Sequence, residues 1–247
     1  TTASFINIFY KELAEAYHQK KVKYLARLYL KFSRLLFFIG ACISCFFMPW
    51  AKDLLSNILG ESYLNGSLTL VIMFFYPIHQ SMGQIGSSFL FATGKVGIQV
   101  TIGIFFMLLS MLVTYFVLAE ENSIIPGLGL GSLGLALKMV LMQLIQVNVM
   151  AFLISKNFKI KYDWSYQFSS ILLCLGFSYL SYFWIINLTI FNNFEYSFFI
   201  KIGLTSLCYF NLILIFLWNF PNLVGFNRLE RTELAYGLKR KIKNIIK

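Results

Sequence analysis

Six stretches of roughly 20 mostly apolar residues follow one another along this chain, and one of them, residues 96–119, contains no Asp, Glu, Lys or Arg. Few folds accept such runs. In hydrocarbon every backbone N–H and C=O must be paired without water, and a helix of about 20 residues does this while crossing a core about 30 Å thick. The stretches cover residues 32–50, 68–90, 96–119, 130–154, 168–191 and 196–220. Composition excludes the alternatives: 58% of residues are hydrophobic and only 13% charged, too few to cover a soluble domain, which carries about a quarter charged residues. A mean hydropathy of +0.71 likewise excludes disorder, collagen and coiled coil. The expected fold class is an all-α, polytopic membrane bundle of about six transmembrane helices.

Lys and Arg set the orientation, because cytoplasmic loops are enriched in them. On one side lie Lys11, Lys20, Lys21, Lys23, Arg27, Lys31 and Arg34, then Lys95, then Lys156, Lys159 and Lys161. The tail adds Arg228, Arg231, Lys239, Arg240, Lys241, Lys243 and Lys247 to the same side. The opposite connections hold Lys52 alone, beside Asp53, Glu61, Glu120, Glu121 and Glu195, while Lys138 and Lys201 fall inside stretches. Both ends of the chain are therefore expected in the cytoplasm. The net charge of +11 reads as a topology signal, and nucleic acid is not an expected partner.

Two amphipathic segments flank the bundle. In the tail Leu234, Leu238, Ile242 and Ile246 recur every four residues among lysines, and residues 22–32 carry Leu25, Leu28 and Tyr29 in a similar pattern. Both suit a helix lying along an anionic inner leaflet. No cleavable signal peptide is visible, and the chain opens at Thr1 without a start methionine, so it is expected to begin inside a longer protein.

Catalytic constellations are lacking. The two histidines, His18 and His79, belong to no HExxH motif, and the sequence holds no GxSxG and no P-loop. The glycines of PGLGLGSLG, residues 126–134, imitate a dinucleotide fingerprint but enter an apolar stretch without a Rossmann strand, which favours helix packing or an irregular helix start. Cys42, Cys45, Cys174 and Cys208 all lie in apolar runs, where a thiol packs as a small hydrophobe. No cofactor or metal is expected.

Polar side chains inside spans are costly in lipid and tend to face a cavity or a neighbouring helix. In the second stretch Tyr76, Gln80, Gly83, Gln84 and Ser87 share a helical stripe, as a cavity wall or as hydrogen-bonding partners of neighbouring helices. His79 lies just off its centre as a candidate proton carrier. Pro77 lacks an N–H, leaves the Met73 carbonyl unpaired and predicts a kink or hinge. In the fourth stretch Lys138, Gln143 and Gln146 are further cavity candidates; Lys138 either snorkels outward or attracts an anionic group in a cavity, and the cavity is the favoured reading. Lys201, one turn into the sixth stretch, is expected to snorkel, and Asn187 and Asn211 to pack.

In order along the chain come FINIFYKELAEAYHQKKVKYLARLYLKF, ILGESYLNGS, Gln84 with LFATGKVGIQV, and GLGLGSLGLALKMV. Together these segments resemble the C-terminal part of polysaccharide flippases of the O-antigen transporter type, in the multidrug/oligosaccharidyl-lipid/polysaccharide exporter superfamily. The resemblance covers about residues 1–155; the last two stretches match by hydropathy alone. It implies that the chain forms one lobe plus two extra helices of a fourteen-helix flippase and lacks the other lobe. The implied activity is transport, not enzymatic: translocation of undecaprenyl-diphosphate-linked oligosaccharide across the bacterial inner membrane, by alternating access, for surface polysaccharide and lipopolysaccharide biosynthesis. Implied partners are that lipid-linked substrate, the bilayer, the preceding lobe of the same protein and glycan polymerase machinery. Expected divisions are residues 1–34, the end of a helix and a cytoplasmic connection; 35–155, four helices of the lobe; 156–221, two additional helices; and 222–247, a basic tail.

Three other readings stay open. An ion-coupled multidrug exporter of the same superfamily usually needs an intramembrane carboxylate, and all ten Asp and Glu lie outside the stretches. A membrane glycan polymerase needs a catalytic loop, and the longest outer connection, residues 51–67, is short. A scaffold without transport activity would tolerate loss of Lys138 or Gln80.

Overall fold

The computed structural model describes residues 2–187 and 197–225, which form helices and short turns with no strand among them. Helix α1 (Thr2–His18) turns tightly into α2 (Val22–Phe47). A short α3 (Ala51–Leu54), a π turn (Leu55–Leu59) and a 3-10 turn (Glu61–Gly66) lead into α4 (Ser67–Met73) and α5 (Phe75–Ala92). Then come α6 (Val96–Leu118), α7 (Gly131–Phe158), α8 (Ser165–Ile186) and α9 (Ser197–Asn219), followed by a 3-10 turn at Pro221–Val224.

Among the described residues five helices, α2, α6, α7, α8 and α9, are long and apolar enough to cross a membrane, so the chain has the architecture of a multi-pass helical membrane protein. The second of the six expected spans, residues 68–90, is not among them. It is two helices, α4 and α5, parted at Phe74. Pro77 explains the break: without an N–H it cannot bond the Met73 carbonyl, and its ring crowds that same carbonyl. The polar content of α5, with His79, Gln80 and Gln84, keeps it below a spanning hydropathy.

The structure also differs from expectation at residues 22–32. They form the first part of the long helix α2, and their apolar face, Leu25, Leu28 and Tyr29, is buried against other helices. Tyr29 packs its ring 4.8 Å from that of Phe89 on α5, and Phe32 lies 4.6 Å from Phe9 on α1. An apolar face that would suit lipid suits two neighbouring helices equally. The expected division at residue 34 therefore falls inside α2, and that at residue 155 falls within the last turn of α7. Residues 226–247, with the amphipathic tail, lie outside the described residues.

Packing centres on α5. Against α2, a Cβ on Gly40 would stand 3.3 Å from the Ile78 Cα, and the Ser81 hydroxyl donates to the Leu36 carbonyl at 3.2 Å. Against α7, a Cβ on Gly83 would stand 2.9 Å from Val147 Cγ2. Small residues thus let α5 approach both neighbours, the usual means of packing helices whose side chains are no more apolar than lipid. One core joins α2, α5, α7, α8 and α9 around Phe37, Cys42, Ile78, Met82, Cys174 and Tyr209; a second joins α1, α2, α5, α6 and α7 around Leu13, Tyr29, Phe89 and Ile154.

Contacts divide the bundle into two ends. Tyr29, Arg34, Phe89, Phe158, Tyr162 and Asp163 meet at one, and Trp50, Asp53, Tyr182 and Phe198 at the other. Lys20, Lys21, Lys95, Lys156, Lys159 and Lys161 all belong to turns or helix ends at the first. The charge asymmetry read along the chain is therefore a spatial separation in the fold.

Candidate functional site

Two helical stripes meet between α6 and α7. On α6 the spacing of Gly103, Phe106, Met107 and Ser110 keeps them on one face; on α7 Lys138, Met139, Met142, Gln143 and Gln146 do the same. With Tyr76 at the head of α5 they line a cleft of about 300 Å³. Lys138 lies two turns into α7, about 10 Å from its start at 1.5 Å per residue. Its ammonium donates to the Ser110 hydroxyl of α6. Lys138, Gln143, Gln146 and Tyr76 are all half-buried, so the cleft offers one cation, two amides and a phenol in an otherwise apolar interface.

Four of the seven candidate residues thus converge. The other three do not. Gln80 and Gln84 are exposed on α5 and outside the cleft, because the expected stripe splits. Its small members serve packing: Gly83 lies against Val147, and the Ser87 hydroxyl points to Met150 Sδ at 4.0 Å. Its glutamines project from the bundle.

His79 is buried on another side of α5. Its Nδ1 lies 3.3 Å from the Phe75 carbonyl, and its ring meets Phe37 edge-on at 5.6 Å. It borders a second cavity, about 720 Å³, between α5, α7 and α8. The walls there are mainly apolar, and the other polar members are Asn148 and Gln167, joined by a 2.9 Å hydrogen bond from Gln167 Nε2 to Asn148 Oδ1. Among the described residues no carboxylate or second histidine lines this groove.

Sequence reasoning missed Ser110 and the Asn148–Gln167 pair. Ser110 was legible in principle, as a hydroxyl seven residues after Gly103 on one face of a helix otherwise read only for lacking charge. The amide pair joins different helices and has no local signature.

At the basic end, the Asp163 carboxyl is held below the usual carboxylate range, first by the Ser165 hydroxyl at 2.7 Å and further by the Ser165 N–H and Arg34. At the other end burial pushes Asp53 up, opposed by the Tyr182 hydroxyl at 3.5 Å and by the charges of Lys201 and Lys52. Cys42 and Cys174 approach to 3.6 Å between sulfurs inside the core. Among the described residues no group of three or more His, Cys, Asp or Glu is placed to hold a metal ion.

The glycine-rich entry to α7 is a structural turn. Gly127 stacks on the Ala119 carbonyl so closely that a Cβ would stand 2.4 Å from its oxygen, and a Cβ on Gly134 would meet Val117 at 2.7 Å. These contacts fold α7 back along α6 and create the interface that holds the cleft. In comparisons with family models, curated proteins and solved structures, no match to this chain is found.

Proposed function

We propose that this chain is part of a polysaccharide flippase that moves a diphosphate-linked, lipid-anchored oligosaccharide across the bacterial inner membrane. The observation that carries the reading is the convergence of Lys138, Gln143, Gln146 and Tyr76 on one cleft inside an apolar bundle. A lysine at that depth is costly in lipid unless it meets an anion or water, and an ammonium offsets diphosphate charge. Amides and a phenol supply the hydrogen bonds that sugar hydroxyls need.

The exposed Gln80 and Gln84 support the same reading. Two glutamines one turn apart on the outer face of α5 require polar surroundings within the membrane, as the wall of a central cavity facing a preceding lobe would provide. The break at Phe74 above Pro77 gives that wall a hinge, and alternating access rocks one lobe against the other. Both ends of the chain are then cytoplasmic.

The test is the sidedness of lipid-linked oligosaccharide in cells depleted of the full-length protein, read with a glycan probe that does not cross the inner membrane. Accumulation on the cytoplasmic face is expected. Single unpolymerised units on the outer face would mean that flipping is intact and that the protein acts in polymerisation.

A further inference from the structure

The turn between α1 and α2 builds a pocket that the transport reading does not use. It encloses about 450 Å³, with a wall of Ala16, Val22 and Leu25 and a rim of His18, Lys20 and Lys21. Leu25 and Ala16 are buried, whereas Val22 is 54% exposed and the three rim residues are exposed.

The backbone fixes the rim. The Lys20 N–H donates to the Tyr17 carbonyl at 2.9 Å and the Lys21 N–H to the Ala16 carbonyl at 3.0 Å, the paired bonds of a helix terminus closed by a left-handed residue. Glycine usually takes that left-handed place, yet here it is Lys20, with φ 56°. The turn thus carries a long cationic side chain where glycine would suit the backbone better. Lys21 follows at once, and α2 begins at Val22; the positive end of α2 is offset there by the negative end of α1, so the charge of the turn is that of its lysines.

The nearby Glu15 carboxylate accepts from Gln19 Nε2 at 3.2 Å, and among the described residues no carboxylate pairs with Lys20 or Lys21. Tyr17 and Tyr24, 40% and 45% exposed, flank the turn as amphipathic rings do at a membrane interface.

We propose that this turn binds an anionic phospholipid, with its phosphate between Lys20 and Lys21 and the start of an acyl chain against the exposed Val22 and Tyr17, over the floor that Ala16 and Leu25 form. The apolar wall selects a lipid over a free phosphate, and the lysines select an acidic headgroup over a zwitterionic one.

Native mass spectrometry of the full-length protein in detergent, titrated with phosphatidylglycerol or phosphatidylcholine, tests this. The wild type should retain phosphatidylglycerol preferentially, and K20G/K21Q should weaken that retention by at least about tenfold, at roughly 1 kcal/mol per lysine, while leaving phosphatidylcholine unchanged. Glycine keeps the left-handed backbone, so the double variant retains the turn. K20R/K21R should bind as the wild type does. Retention unaltered in K20G/K21Q, equal loss of both lipids, or displacement of phosphatidylglycerol by millimolar inorganic phosphate would each overturn the proposal, the last by making this a free-anion site.

Discussion

Arg34 on α2 donates to the Asp163 carboxylate, just ahead of α8, across 3.1 Å, joining residues 129 apart in the chain. The same guanidinium lies 5.3 Å from the centre of the Tyr166 ring. Because Asp163 is about half exposed, the pair contributes at most about 1 kcal/mol. Asp163 nevertheless gives stability a defined pH dependence. Its folded pKa is depressed, so its contribution is complete above the ordinary aspartate value of about 3.9 and is lost as pH falls through the folded value. Thermal melts of the detergent-solubilised protein should show an acid-side loss that Asp163→Asn reduces. An identical acid profile in the variant would remove Asp163 from that role.

Close approach of α5 to α7 rests on Gly83 more than on Gly86. A Cβ on Gly83 meets the stiff, β-branched Val147, whereas one on Gly86 meets the terminal methyl of Met150, which can swing aside. Gly83→Ala should therefore destabilise by about 1–3 kcal/mol and Gly86→Ala by less. Equal melting points for the two variants would contradict this packing.

Tyr209 ties α9 to α2 by donating its hydroxyl to the Cys42 carbonyl at 2.8 Å within the core. Tyr209→Phe keeps the ring and removes that bond, with an expected cost of about 1 kcal/mol. Limited proteolysis or a melt of the purified variant checks it, and an unchanged midpoint would assign the contact no net value.

Glutamines on α5 and α7 should behave differently. Gln143→Ala and Gln146→Ala alter the cleft within the described bundle, whereas Gln80→Ala and Gln84→Ala alter an outward face. If that face lines a cavity against a preceding lobe, all four should lower surface glycan at equal protein level. Loss confined to Gln143 and Gln146 would restrict the route to the α6–α7 cleft.

Hydropathy located four of the five membrane-length helices to within a few residues of their cores, and α4 and α5 part at Phe74, three residues before Pro77. What hydropathy cannot distinguish is a face turned to lipid from one turned to another helix, since both are apolar. Residues 22–32 and the α5 stripe illustrate this. Leu25 and Tyr29 meet α1 and α5 rather than a membrane surface, and Gly83 and Gln84, adjacent in sequence, point to α7 and outward respectively. Lys138 was singled out because a charge in a span has few acceptable surroundings, but its partner Ser110 required the fold.

Lys138 tests the transport reading most directly. Replacing it with Ala in the full-length protein removes the cleft's cation and its bond to Ser110, while Lys138→Arg keeps the charge. At equal protein level, Lys138→Ala should leave lipid-linked oligosaccharide on the cytoplasmic face, inaccessible to an impermeant glycan probe, and Lys138→Arg should restore part of the outer-face signal. Full outer-face labelling in Lys138→Ala would contradict the account and return Lys138 to a packing role between α6 and α7.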